Sequence, residues 1–215
     1  MTALLPPEFD AAFQARLSDL FAWRRDVRRF RPDPLEDGAL DRLSTDACLA
    51  PSVGLAEPWR FVVVTGAMRR ATVVDCFEQA NAAALGSYEG ERAALYARMK
   101  LEGLREAPVH LAVFSDETTP QGHGLGRQTM PEMLRYSVVT AVHTLWLAAR
   151  ARGIGVGWVS ILDPEAVTAA LDVPPGWRLV AYLCIGYPAE LHREPELARQ
   201  GWEQRAAVTD RVLKR

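Results

Sequence analysis

Four arginines surround a single carboxylate in the stretch Arg24-Arg25-Asp26-Val27-Arg28-Arg29-Phe30. Fixed positive charge at that density repels itself unless an anion relieves it, and the planar guanidinium fork donates two hydrogen bonds to phosphate at once. The chemistry this favours is retention of a phosphate-bearing ligand. A solvated charge run at a helix end accounts for the same residues, because arginines favour the negative pole of the helix dipole. Residue types alone leave both readings open, and Asp26 favours neither.

Other reactive side chains are scattered. Cys48, Cys76 and Cys184 are odd in number, far apart and set in apolar surroundings, which predicts buried thiols in a reducing compartment. His110, His123, His143 and His192 have no cysteine or histidine neighbour at the short spacing of a zinc site, so no metal is expected. His143, inside an apolar helical run, is expected to be a satisfied core histidine. Ser52 reads by itself as a turn or helix-cap residue, and Ser160 as an ordinary serine at a strand end. The formal net charge of −2 provides no global field for nucleic acid or an anionic membrane. No apolar run approaches the roughly 18 residues of a membrane span, and a cytoplasmic protein is expected.

These residues must be positioned by elements that the hydrophobic pattern outlines. Phe9, Phe13, Leu17, Leu20 and Phe21 recur at helical spacing and predict a first helix ending near Trp23. A short helix through Leu40, Leu43 and Ala47 runs into a loop at 50–54. Phe61 to Val64 is an unbroken β-branched run and predicts a strand buried on both faces. Helices follow at 68–86 and 90–104, the second carrying Tyr96, Met99 and Lys100-Leu101. A strand is predicted at 109–114, and a long polar loop at 116–126 of the kind that often carries function. The longest and most apolar helix is expected at 136–151, its burial completed by a second subunit. Gly153, Gly155 and Gly157 precede a strand over Trp158 to Leu162, where they would admit a neighbouring backbone or a ligand. A short helix at 164–171 and a strand at 177–185 complete the fold, and the charged segment beyond Gly186 would be ordered by lying across something else. The order predicts one α/β layered domain over 1–215, with an N-terminal helix in 1–22 and an extended arm in 187–215.

Arg24-Arg25-Asp26-Val27-Arg28 resembles the R-R-S-x-R signature of the FMN-binding nitroreductase superfamily, and Ala50-Pro51-Ser52 with Glu57-Pro58-Trp59-Arg60-Phe61 resembles its A-P-S…Q-P-W-x-F segment. The match is closer to the superfamily's flavin-fragmenting branch, the 5,6-dimethylbenzimidazole synthases. Aspartate at position 26, Lys100-Leu101-Glu102-Gly103, Leu125-Gly126-Arg127 and Gly155-Val156-Gly157-Trp158-Val159-Ser160-Ile161 carry that likeness. Glu194-Pro195-Glu196-Leu197 and Gly201-Trp202-x-x-Arg205 extend it into the arm. Glu57 departs from the pattern, standing where glutamine is usual.

The resemblance implies a nitroreductase-like fold with a mixed central sheet, and a homodimer whose C-terminal arms are exchanged between subunits. It implies reduced FMN as substrate and O2 as co-substrate, with a flavin reductase supplying the reduced flavin. The products would be 5,6-dimethylbenzimidazole, for the lower ligand of cobalamin, and D-erythrose 4-phosphate. Arg24, Arg25 and Arg28 would grip the phosphate and ribityl chain, with Arg205 added from the exchanged arm. Val27, Pro51, Ser52, Lys100 and Leu101 would complete the flavin site, and the segment from Gly90 to Gly126 would act as a lid. Asp26 would be the general acid–base group and Ser160 would orient the oxygen adduct. An ordinary NAD(P)H-dependent FMN nitroreductase or flavin reductase is the alternative enzyme. A non-catalytic flavin-binding protein is the alternative outside enzymes.

Overall fold

Strand β2 (Val109–Asp116) has six consecutive buried residues, and such a run is stable only in the middle of a sheet covered on both faces. The structure, a computed structural model, describes residues 5–215, so residues 1–4 of the expected N-terminal segment lie outside the described residues. It places β2 between β1 (Trp59–Val63) and β4 (Trp177–Gly186), with β3 (Gly155–Val159) beyond β4, in the order β1-β2-β4-β3. Every pair of these strands is antiparallel. The parallel component of the mixed sheet is a single bridge between Asp26 and Val156.

Helices cover both faces. On one, α5 (Met133–Ala151) buries Val138, Ala141, Val142, Leu145 and Ala149 at helical spacing, and α2 (Ala39–Ala47) adds Leu43 and Ala47. On the other, Val73 and Phe77 of α3 (Ala67–Leu85) and Val167 and Leu171 of α6 (Pro164–Leu171) close over Phe114, Tyr182 and Cys184. Burying each Val, Leu or Phe side chain among these contributes about 1.5–3 kcal/mol, so these two apolar layers are the main stabilising term. α1 (Ala11–Trp23) begins where the Asp10 carboxylate accepts the Phe13 N–H at 2.7 Å, a side-chain cap for an otherwise unpaired donor. The remaining helices are α4 (Gly90–Arg98) and the single turn α7 (Glu196–Arg199).

Several expectations are corrected. The first strand lies at the sheet edge and Val63 is 46% exposed, since an apolar run does not reveal whether a second strand lies beyond it. The helix from Gly90 stops at Arg98, not Leu104, because Met99 turns to an extended conformation and the Lys100 carbonyl is taken by Arg28. Lys100 and Leu101 therefore sit in a loop. The glycine-rich strand ends at Val159, so its glycines are inside it and Ser160 to Leu162 have left the sheet. α5 starts at Met133 and is no longer than α3, both having 19 residues. His143 is exposed on α5, and the buried histidine is His110 instead. Cys76 and Cys184 are buried thiols, whereas Cys48 is exposed at the end of α2.

Candidate functional site

The arginine stretch follows α1 without a break, and each arginine has a different task. Arg25 turns back to donate to the Ala22 carbonyl from Nε at 3.1 Å and from Nη2 at 2.6 Å, and from Nη2 to Phe21 at 3.1 Å. It thus satisfies carbonyls that a helix C-terminus leaves unpaired. Arg24 lies 4.8 Å over the Trp146 ring of α5, and the Trp146 indole N–H donates to the Arg25 carbonyl at 3.3 Å. Arg28 donates from Nε to Asp26 Oδ2 and from Nη1 to the Lys100 carbonyl, both at 2.9 Å. Arg29 reaches the C-terminal arm instead, donating to Glu190 and Glu196 at 3.0 Å each.

Asp26 joins this stretch to the sheet. Its Oδ1 accepts the Trp158 backbone N–H at 2.9 Å while its Oδ2 accepts Arg28, and the Val27 N–H donates to the Val156 carbonyl at 3.1 Å. Residues 26–27 are therefore laid along the outer edge of β3. Glycine at 157 is what permits it, because a Cβ there would overlap the Val27 carbonyl oxygen. Of the glycines expected to admit a neighbour, Gly157 admits the backbone of the arginine stretch and Gly155 faces the Val27 side chain, whereas Gly153 has open space beside it. Each Asp26 oxygen keeps a lone-pair direction beyond these bonds, and its side chain is 31% exposed.

The charge balance suits an anion. Arg24 is held below the usual guanidinium range first by its burial and then by Arg205, against the pull of Asp26. Arg25 is lowered by burial, then by Arg24, then by Arg205. Among the described residues, none of these three arginines has a carboxylate within 4.0 Å, so a phosphate dianion would meet charge that Asp26 offsets only in part. Arg25, Arg205 and Arg193 line one concavity beside Ser18 and Phe21. The residues present thus fit a phosphate-bearing flavin. No group of three or more His, Cys, Asp or Glu side chains among the described residues is arranged to hold a metal ion.

Other residues named from the sequence stand elsewhere. Leu101 packs against the core beside Phe30, and the Lys100 ammonium is 2.8 Å from Glu106. Ser160 is exposed just past β3, two residues from the backbone N–H that binds Asp26. Pro51 and Ser52 are pinned to the first half of α5: Thr140 Oγ1 donates to the Pro51 carbonyl at 2.9 Å and the Val53 N–H to Ser137 Oγ at 3.0 Å. Ser52 Oγ accepts the Glu57 N–H at 3.1 Å. Trp146, which carries Arg24, lies six residues further along α5, about 9 Å up the axis and on another side of the helix. The single chain therefore anchors Ser52 and Arg24 at different turns and on different sides of α5. Glu57 accepts the Gln121 amide at 3.0 Å, which fastens the 52–57 loop to the 121–126 turn. Sequence reasoning missed Trp146, Arg193 and the Arg29 contacts with the arm, and no local motif marks any of them.

Comparison with known proteins agrees with this architecture. The nitroreductase family model matches residues 21–187. A 5,6-dimethylbenzimidazole synthase of Rhodospirillum rubrum is 62% identical, covering 93% of this chain and 94% of that protein. One from Rhodobacter capsulatus is 48% identical, covering 91% and 95%. Among solved structures, oxidized iodotyrosine deiodinase bound to FMN and 3-iodo-L-tyrosine superposes with a TM-score of 0.69 at 28% identity, over 82% of this chain and 91% of that one. With its arginine stretch laid on β3 and its likeness to these synthases over more than nine-tenths of its length, the chain belongs to the nitroreductase family, in the branch of the 5,6-dimethylbenzimidazole synthases.

Proposed function

We propose that this protein is a 5,6-dimethylbenzimidazole synthase that converts reduced FMN and O2 into 5,6-dimethylbenzimidazole and D-erythrose 4-phosphate. The observation that carries this reading is the similarity to the Rhodospirillum rubrum synthase along nearly the whole of both chains. When bound, reduced FMN supplies both the electrons for O2 and the carbon skeleton of the product. The protein's residues bind, orient and move protons. Arg24, Arg25 and Arg205 hold the phosphate, because they are close enough to repel one another and have no carboxylate of their own within ion-pair distance. Arg28 fixes the Lys100-Leu101 loop, so ligand contact on one side and loop position on the other are set by neighbouring residues.

Asp26 has two roles in this reading. Its existing bonds lock the arginine stretch to β3, and its remaining lone pairs are the proton acceptor for the ribityl chain or ring nitrogens. Ser160, exposed at the end of the same strand, supplies a hydroxyl that both donates and accepts. Ser52, Pro51 and the 116–126 segment come from a second copy of the chain, which the separation of Ser52 from the arginines within one chain supports. The active form is then a homodimer. A separate flavin reductase supplies the substrate, in the reducing cytoplasm that suits free thiols.

The test separates consuming a flavin from using one. Purified protein is expected to be colourless, and reduced FMN mixed with it in air, without NADPH, is expected not to return to yellow oxidised FMN. A protein that stays yellow and oxidises NADPH with its flavin intact would instead be a nitroreductase or flavin reductase.

A further inference from the structure

The segment after Gly186 turns back along the arginine stretch and is fastened at two places. At the first, Ala189 N–H donates to the Arg29 carbonyl at 2.9 Å, and the Arg29 guanidinium holds Glu190 and Glu196. The second lies on α4. The single turn of α7 ends through Gly201, whose φ of 77° favours glycine, and the Trp202 N–H then donates to the Leu197 carbonyl at 2.8 Å. This closure directs the Trp202 indole into a cage. Its ring centroid is 5.4 Å from Tyr88, edge-on, and 6.1 Å from Tyr96. Arg92 stacks over it at 4.7 Å and donates to its carbonyl at 2.9 Å. Tyr96 is itself held, its hydroxyl donating to Asn81 at 2.8 Å.

Three residues further on is Arg205, in the concavity with Arg25 and Arg193. Arg205 has no ion pair among the described residues, and residues 203–207 form neither strand nor helix. Trp202 confines it from three residues back, since three residues of extended chain span about 10 Å, and the neighbouring Gln204 amide adds a longer bond, 3.4 Å, to the Ala198 carbonyl of α7. Released from the cage, the chain before Arg205 is held by the long Gln204 bond to the Ala198 carbonyl and, nine residues back, by the Arg29 contact with Glu196, so the volume open to Arg205 grows.

We infer that Trp202 is a positioning residue: seated between Tyr88, Tyr96 and Arg92, it sets where Arg205 stands beside Arg24 and Arg25, and so how tightly the phosphate end of a ligand is held. The inference rests on the reading above that Arg205 holds the FMN phosphate. It also joins that end of the site to the α4 side, because α4 leads directly into the Lys100-Leu101 loop that Arg28 grips.

The test compares oxidised FMN with riboflavin, which lacks the phosphate, by flavin fluorescence quenching on the full-length protein. Trp202→Ala should weaken FMN binding about tenfold, the scale of one misplaced charge-assisted hydrogen bond, and leave riboflavin binding unchanged. Trp202→Phe should restore most of the loss, and Trp202→Ala with Arg205→Ala should bind FMN no worse than Arg205→Ala alone. Equal losses for both flavins, or additive losses in the double variant, would overturn the inference. The readout is binding of oxidised flavin, so this pattern would support the anchor even if the product assay failed, which would reject the flavin-fragmentation reading by itself.

Discussion

At residue scale the decisive side chain is Asp26, because the same carboxylate carries a structural and a chemical load. Asp26→Asn retains an acceptor for the Trp158 N–H but removes the charge and the base. Product formation should fall by about 100-fold or more, the usual contribution of general acid–base catalysis, while FMN affinity changes by less than about tenfold. Parallel measurement of product yield and flavin affinity checks this, and equal losses in both would reduce Asp26 to a brace. A second residue reports on the core. His110 is fully buried with Nδ1 2.9 Å from the Tyr182 hydroxyl, and burial foremost, then Arg70, lowers its pKa from 6.5 to about 4. Since the folded value lies below the unfolded one, its stabilising contribution is complete above pH 6.5 and is lost as pH falls towards 4. Urea unfolding should show about 3 kcal/mol of that loss between pH 7 and pH 4, absent in His110→Gln. Parallel pH profiles would refute it. The arginine density was legible in sequence because charge is a local property. The partners that divide those arginines into a helix cap, a ring-stacked cation, a loop clamp and an arm clamp were not, since each lies tens to over a hundred residues away or depends on where α1 stops.

At the scale of elements, the site depends on one edge. β3 pairs with β4 on one side and carries residues 26–27 on the other, and the edge accepts them because glycine occupies 157. Gly157→Ala should destabilise the fold by about 2 kcal/mol and weaken FMN binding at the same time, because the added methyl displaces the arginine stretch. Denaturant titration and flavin binding check it together, and an unchanged protein in both would mean that this docking is slack. Helix and strand types were readable from periodicity, including the α1 end at Trp23 and the Asp163-Pro164 start of α6. Boundaries set by tertiary bonds were not. α4 ends early because Arg28 claims the Lys100 carbonyl, and β3 ends early because its pairing with β4 stops at Val159.

At the scale of the whole molecule, two apolar surfaces are left uncovered. α1 has no buried residue and exposes Phe13 and Phe21, 38% and 48% accessible, and α5 exposes Tyr136 and Val139. Exposed apolar side chains of this kind are what a second copy of the chain would cover in the proposed dimer. A second copy covering α5 would also bring a second Ser52 loop within reach of the arginines, which one chain keeps apart. Sedimentation should give twice the 23.8 kDa chain mass, and Val139→Glu should yield single chains with weakened FMN binding. Single chains with full FMN affinity in the unaltered protein would contradict a shared site.

The central claim is that the flavin is consumed. It is tested most directly by mixing excess protein with chemically reduced FMN under anaerobic conditions, admitting air, and following flavin and product by mass analysis. The expected outcome is loss of FMN with formation of 5,6-dimethylbenzimidazole and erythrose 4-phosphate in matching amounts. Quantitative recovery of oxidised FMN with no dimethylbenzimidazole would contradict it.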